Sequence, residues 1–282
     1  MPELPEVEVV RAGIERHVLG RKIAHVEVHE ARSVRRHVAG ADDFLARVRG
    51  MRIVSIERRG KFMWLHDESQ ALVIHLGMSG QVLINTGRSE PGRHTRITMK
   101  FLRPSTTMSF DDQRMFGGMQ VDELVVASDG RVVPQCVAHI APDPFESTFD
   151  VQAVISAIRR RRAPVKSLLL NQEVVSGIGN IYADEALWRA RVHWRTPGDE
   201  VSTRKIRELL TRAREVMAAA LHQGGTSFDA MYVNVNGQSG YFSRLLNAYG
   251  QDGEPCARCG THIVREPFAN RSSYRCPRCQ RG

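Results

Sequence analysis

The sequence predicts an α+β protein: an N-terminal helix and an antiparallel β-sandwich, then a helical domain that ends in a four-cysteine finger hairpin. Three observations carry this reading. Apolar residues near the start recur at helical spacing. Short apolar runs with strand character, separated by Gly and Pro, fill the stretch up to about residue 101. Beyond Pro134 helical periodicity returns, and the chain closes on two Cys-x-x-Cys pairs.

Val7, Val10, Ile14 and Val18 form one apolar face and predict a helix over 5–19. Pro5 suits its first turn, and Glu6 and Glu8 suit its positive end. Strand-like runs follow at Arg52–Ile56, Phe62–Leu65, Leu72–Leu76, Val82–Ile84 and Thr95–Phe101. The last alternates strictly, with Ile97, Met99 and Phe101 on one face. Residues 20–133 therefore read as an antiparallel sandwich. Val151, Val154, Ile155 and Ile158 mark a helix. Residues 165–191 read as helix, turn, helix, with Gly177 and Gly179 in the turn. Ile206, Leu209, Leu210, Ala213, Met217 and Leu221 mark a longer helix that stops at Gly224 and Gly225. Residues 226–250 are polar and glycine-containing and read as a loop. The expected division is 1–133 for a sandwich domain, 134–149 for a linker, 150–250 for a helical domain and 251–282 for the four-cysteine finger.

Lys and Arg together number 40 against 31 Asp and Glu, a formal charge of +9, and the pI is about 9.7. That balance favours a polyanionic partner, with a solvated basic surface as the plainer alternative. No stretch has the roughly 18–20 apolar residues that span a bilayer. The acidic start MPELPEVEVV lacks the regions of a signal peptide, so a cytoplasmic protein is expected.

Of five cysteines, Cys136 stands alone and reads as a small buried apolar residue. Cys256-x2-Cys259 and Cys276-x2-Cys279 enclose 16 residues. Two such turns aim four thiolates at one point, the tetrahedral set that zinc takes; a redox pair or chance clustering is the alternative. The enclosed span is too short for much core, so the metal supplies its folding energy. Arg258, Arg265, Arg271, Arg275, Arg278 and Arg281 make the segment basic. That composition suits nucleic acid, with protein contact as the rival use.

At the other end, Met before Pro is usually removed, leaving Pro2 as a free secondary amine. An α-amine titrates near pH ~8, and the positive end of the helix lowers it further. Such an amine can attack a sugar aldehyde carbon, and Glu3 beside it can move protons. On its own a Met-Pro start is commonly without function.

Read together, several motifs resemble the formamidopyrimidine-DNA glycosylase family of bacterial base-excision repair enzymes. They are PELPEVE at 2–8, Gly60-Lys61, HLGMSG at 75–80, DDQRMFG at 111–117, SGIGNIYADE at 176–185, GGTS at 224–227, PCARCG at 255–260 and YRCPRCQR at 274–281. They run along essentially the whole chain in the family's order. A PEL rather than PEG start separates the chain from the endonuclease VIII branch.

The resemblance implies a helix–two-turn–helix element in the helical domain, one structural Zn2+, and duplex DNA bearing an oxidised base or abasic site as the partner of a monomer. It implies a bifunctional glycosylase/AP lyase. Pro2 is then the nucleophile that expels the base and forms a Schiff base, Glu3 the general acid/base, and Lys61 a phosphate-contacting lysine that assists β-elimination. Met78, Arg114 and Phe116 match residues that fill the space left by a flipped base, which costs a few kcal/mol to extrude. Without the family, Met78 and Phe116 would read as core and Lys61 as a solvated turn lysine. Asn180, Tyr182, Lys166, Arg162 and His94 fall at DNA-contact positions. Asn180 could equally be a helix cap, and Arg159–Arg162 a solvated helix face. Arg271 matches the finger arginine that grips phosphate near the lesion. Thr226, Ser227 and Tyr241 lie in the loop 226–242 that covers the flipped base in the family. Two departures stand out: DDQRMFG replaces the DPRRFG of some members, and Ser79 follows Met78 where some carry Glu. The alternatives are an endonuclease VIII-like enzyme for oxidised pyrimidines and a non-catalytic zinc-dependent damaged-DNA-binding protein.

Overall fold

The computed structural model describes residues 2–86, 90–102, 105–224, 235 and 245–281. The chain divides into two compact units. The first joins Met1–His139 to Gln223–Tyr241, and the second joins Ile140–His222 to Phe242–Gly282.

The first unit opens with helix α1 (Leu4–Val18), whose Leu4, Val7, Val10, Ile14 and Val18 are buried as the spacing requires. A helix start leaves backbone N–H groups without partners. Glu3 and Glu6 satisfy two of them reciprocally in a capping box, Glu6 Oε2 accepting the Glu3 N–H at 2.9 Å. After α1 come strand β1 (Ile23–Val28), a 3-10 turn (Ala31–Val34) and helix α2 (Gly40–Val48). Eight more strands follow: β2 (Ser55–Arg59), β3 (Phe62–His66), β4 (Gln70–His75), β5 (Gly80–Thr86), β6 (Thr95–Phe101), β7 (Thr106–Asp112), β8 (Gly118–Val126) and β9 (Val132–Pro134).

They form two antiparallel sheets, ordered β1-β6-β7-β5 and β2-β3-β4-β8-β9. Met63, Leu65, Leu72 and Ile74 from one sheet meet Val82, Ile84, Ile97, Met99, Met108 and Phe110 from the other in a single core. The apolar face of α1 joins it. The α+β sandwich is therefore as predicted, and β6 has the predicted bounds.

Some elements differ from the sequence reading. The strand expected at Arg52–Ile56 begins three residues later. Arg52 instead bridges Lys22, and the Ile53 N–H donates to Arg21 O at 2.8 Å, so this stretch serves the neighbouring segment before β2 starts. β1, β7, β8, β9 and α2 were not foreseen. Cys136, expected to be buried, is half-buried, and its N–H donates to Asp122 Oδ2 at 2.7 Å. Burial, then Asp122, raises the pKa of its thiol and keeps it protonated.

The second unit holds α3 (Val151–Arg159), α4 (Val165–Leu170), α5 (Asn180–Ala190), α6 (Thr203–His222) and a hairpin of β10 (Val264–Phe268) and β11 (Arg271–Arg275). Asp150 caps α3 by accepting the Gln152 and Ala153 N–H groups. No described helix is long and apolar enough to cross a membrane.

Candidate active site and metal centre

Pro2 and Glu3 sit buried at the positive end of α1. The Glu3 side chain accepts the Glu6 N–H, so its carboxyl group stands where helix N–H groups converge. The Pro2 nitrogen lies one residue before this cap. Lys61 follows Gly60 in the β2–β3 turn, and that turn is tied back to α1. Arg58 donates to Gly60 O at 3.2 Å and to Glu8 Oε2 at 3.0 Å, and Glu8 also holds Arg11. One helix thus presents the candidate nucleophile and steadies the loop of the candidate lysine.

His75, at the end of β4, was not singled out from the sequence, although it opens the motif HLGMSG. Its ring lies 4.7 Å from the Phe62 ring, and its Nδ1 accepts the Gly77 N–H at 3.1 Å. Burial first, then the charges of Arg36, Lys61 and Arg35, lower its pKa to about 4. The imidazole is therefore neutral at neutral pH, with Nε2–H as its donor.

Met78 and Phe116 are 37% and 41% exposed, unusual for large apolar side chains. The Arg114 guanidinium carbon lies 5.1 Å from the Phe116 ring centroid. This brings together Arg114 and Phe116, two of the three side chains read as void-filling, on one segment of exposed surface. His94 is half-buried; its Nδ1 lies 3.4 Å from Arg96 Nη2, and its carbonyl accepts the Asp112 N–H at 2.9 Å.

In the second unit three of the expected residues are held by neighbours within the fold. Lys166 is fully buried. It pairs with Asp184 Oδ1 at 2.7 Å, donates to Ser272 O at 3.3 Å, and sits 4.7 Å over the Phe268 ring. A buried ammonium needs such compensation. Tyr182 is likewise fully buried within α5. Asn180 is not the cap of α5 but its first residue, Gly179 being the N-cap. Its Nδ2 donates to Ser272 O at 2.9 Å, while its Oδ1 is buried without a hydrogen-bond partner.

Lys166, Asn180 and Asp184 therefore converge on the strand next to Arg271. Asp184 also accepts the Ser273 hydroxyl at 2.9 Å and the Tyr274 N–H at 3.0 Å. Arg271 begins β11 beside the turn at Ala269 and Asn270 and is exposed, its Nε 3.4 Å from Asn270 Oδ1. Arg162 has a side chain 93% exposed, with only a long 3.4 Å contact to Asp199. Thr226, Ser227 and Tyr241 lie outside the described residues. Within the expected loop Val235 is described: it is buried in the first unit, and its carbonyl accepts the Ile84 N–H at 3.0 Å.

The four cysteine sulfurs of Cys256, Cys259, Cys276 and Cys279 all lie within 4.8 Å of one another. None is in a disulfide. This set fits one tetrahedral zinc ion. Trp188 Nε1 donates to Cys256 Sγ at 3.3 Å, which favours the thiolate there, and Arg258 stacks on the Trp188 ring at 4.2 Å. Gln280 locks the second pair by accepting the Cys276 N–H at 2.9 Å and donating to Val192 O at 3.0 Å. The local core is small: buried Trp188, Ala248, Cys256, Ile263 and Cys276. Two of those five are ligands, so one structural Zn2+ holds the hairpin.

Three family descriptions match in succession. "Formamidopyrimidine-DNA glycosylase N-terminal domain" covers residues 1–119, "Formamidopyrimidine-DNA glycosylase H2TH domain" covers 140–231, and "Zinc finger found in FPG and IleRS" covers 253–282. The formamidopyrimidine-DNA glycosylase of Rhodococcus jostii is 54% identical over 282 residues, spanning 99% of this chain and 96% of that protein. That of Mycolicibacterium smegmatis is 55% identical over 281 residues, spanning 99% and 97%. A crystal structure of a Lactococcus lactis Fpg variant with Fapy-dG-containing DNA superposes with a TM-score of 0.86 at 30% identity, covering 100% of both chains. The Lactococcus lactis Fpg complex with abasic-site DNA gives 0.85 at 30% identity, covering 99% of this chain and 100% of that one. The chain belongs to the formamidopyrimidine-DNA glycosylase family.

Proposed function

We propose that this protein is a base-excision repair enzyme, a DNA glycosylase with AP lyase activity that removes oxidised purines from duplex DNA. The supporting observation is the start of α1, where Pro2 precedes a buried, capped Glu3 in a chain that matches its relatives from end to end. Relatives of this fold hold Fapy-dG-containing and abasic-site DNA, and 8-oxoguanine opposite cytosine and formamidopyrimidines are the lesions assigned to this chain.

Once Met1 is removed, the Pro2 nitrogen is a secondary amine. It attacks C1′ of the damaged nucleotide, the C1′–N bond breaks and the base departs with a proton. The sugar ring opens to a Schiff base. Glu3 relays the protons. Loss of the C2′ proton then expels the 3′ phosphate, with Lys61 assisting, and a second elimination expels the 5′ phosphate. Met78, Arg114 and Phe116 fill the space of the extruded base, with Arg114 donating to the orphaned cytosine. Arg162, Asn180, His94 and Arg271 serve the phosphate backbone. For Lys166 and Tyr182 burial supports a different role: they shape the elements that carry Asn180 and Arg271. The zinc ion holds the finger and takes no part in the chemistry. Residues 1–133 would carry the chemistry, and 150–250 with 251–282 the grip on DNA. The site of action is the bacterial cytoplasm, on nucleoid DNA.

The test is borohydride trapping on a duplex with 8-oxoguanine opposite cytosine. A covalent complex is expected with the wild type and none with Pro2→Gly. No complex with the wild type, or equal trapping by Pro2→Gly, rejects the mechanism.

A further inference from the structure

Met78 stands at the end of a tight turn, and Arg114 and Phe116 in the loop between β7 and β8. The two segments are 33 or more residues apart in sequence, yet they meet at one buried carboxylate. Asp112, 1% exposed, accepts the Ser79 hydroxyl at 2.5 Å and the Arg114 N–H at 3.1 Å on Oδ1, and the Gly117 N–H at 2.8 Å on Oδ2. Ser79, 3% exposed, also accepts the Arg114 N–H at 3.1 Å through its hydroxyl oxygen. The segments touch backbone to backbone. A Cβ on Gly77 would lie 2.4 Å from the Gly117 nitrogen, and one on Gly117 would lie 2.7 Å from His75 O.

The outer side of the same loop is held as well. Arg35 donates to the carbonyls of Met115 (3.1 Å), Phe116 (3.3 Å) and Gly117 (3.4 Å). Inside, the loop's N–H groups end on a carboxylate; outside, its carbonyls end on a guanidinium. Met115 between them has φ of +54°, a left-handed conformation that a non-glycine residue keeps only where its surroundings enforce it.

We infer that Ser79, Asp112 and Arg35 are positioning residues that pre-set the Met78–Arg114–Phe116 wedge before DNA arrives. The inference rests on the wedge reading given above. It assigns Ser79 a role that a glutamate at this position could not share, because a second carboxylate would face Asp112. Ser79 in this chain ties the wedge together and does not read the lesion. A pre-set wedge fills the vacated stack without first being ordered, and ordering side chains at the moment of binding weakens a contact.

The experiment compares the wild type, Ser79→Ala, Arg35→Ala and, as a control for the wedge reading, Arg114→Ala. It uses the full-length protein with zinc bound, well below the melting temperature of each variant. Two quantities are read. One is the ratio of kcat/KM for 8-oxoguanine opposite cytosine to that opposite adenine. The other is fluorescence of 2-aminopurine beside the lesion, which reports unstacking. Borohydride trapping on a single-stranded abasic oligonucleotide, which needs no wedge, is run in parallel. Ser79→Ala is expected to lower the ratio about tenfold and to slow the fluorescence step, with single-strand trapping within about twofold of the wild type. Arg35→Ala is expected to do the same to a smaller extent. An unchanged ratio in Ser79→Ala overturns the inference. So does a fall in which single-strand trapping drops in proportion, since a merely destabilised fold would give that result. An Arg114→Ala ratio equal to the wild type would instead reject the wedge reading itself.

Discussion

Two buried carboxylates, one in each unit, hold candidate DNA-contacting side chains in place by different electrostatic means. Asp112 is met by neutral donors, a hydroxyl and two backbone N–H groups. Asp184 is met by an ammonium at 2.7 Å as well as by Ser273 and Tyr274. The difference follows from what surrounds each. The Asp112 loop is flanked by paired strands and a large core, so directional hydrogen bonds suffice to fix its path. The finger hairpin has two strands and a core of five buried residues. It needs stronger ties, a metal ion on one side and a buried ion pair on the other.

The metal should dominate in the second unit. Cys276→Ser, or a strong chelator, removes the element that gives the finger its fold. Binding to lesion duplex and incision are expected to be lost together, by more than about a hundredfold. The β-sheet circular dichroism of the first unit should persist with an unchanged thermal transition. Full incision by protein shown to be zinc-free would break the comparison at its root.

The next largest effect belongs to the ion pair. Lys166→Met leaves the Asp184 carboxylate buried without its cation, a change that typically costs about 3–5 kcal/mol. Burial already raises the Asp184 pKa to about 6, against the pull of Lys166. Without Lys166 it rises further above its unfolded value. A carboxyl whose folded pKa is raised favours the folded state in its protonated form, so stability falls as pH rises from about 4 through that folded pKa. Lys166→Met should therefore be least destabilised near pH 5 and most at pH 8. In the same variant, phosphate-dependent affinity for undamaged duplex should drop if the pair positions the strand of Arg271. A variant as stable as the wild type at pH 8 would show the pair to be dispensable.

The same contrast explains what could be read from the sequence. The spacing of the four cysteines is a property of neighbouring residues, and their convergence in space followed. The α1 stripe and the alternating β6 were legible for the same reason. β7 was not, because Thr106, Thr107, Ser109 and Asp112 are polar yet buried. Only its pairing with β5 and β6 shows that Met108 and Phe110 face the core. Lys166 was placed at a DNA-contact position by the resemblance alone, and nothing in its sequence neighbours marks it as buried. Its partner Asp184 is 18 positions away on another helix, and no periodicity links the two. The Ser79–Asp112 tie spans 33 positions and is likewise a fact of register, since Gly80 lies opposite Asp112 in the β5–β7 pair.

The smallest expected effect lies in the first unit, at His75, whose neutral form is enforced. Burial and the charges of Arg36, Lys61 and Arg35 lower the His75 pKa to about 4. An imidazole with a depressed folded pKa is neutral in the fold while the unfolded chain takes up a proton near pH 6.5. The fold is therefore at full stability above pH 6.5 and loses it as pH falls towards 4. His75→Gln keeps a donor without a titrating group, so this part of the acid sensitivity should disappear. Chemical denaturation at pH 7.5 and pH 5 would then show a smaller difference for the variant than for the wild type. NMR should find the wild-type His75 ring unprotonated at pH 5.5. A ring that titrates near 6.5 would mean that the basic cluster around His75 is open to solvent and does not hold the imidazole neutral.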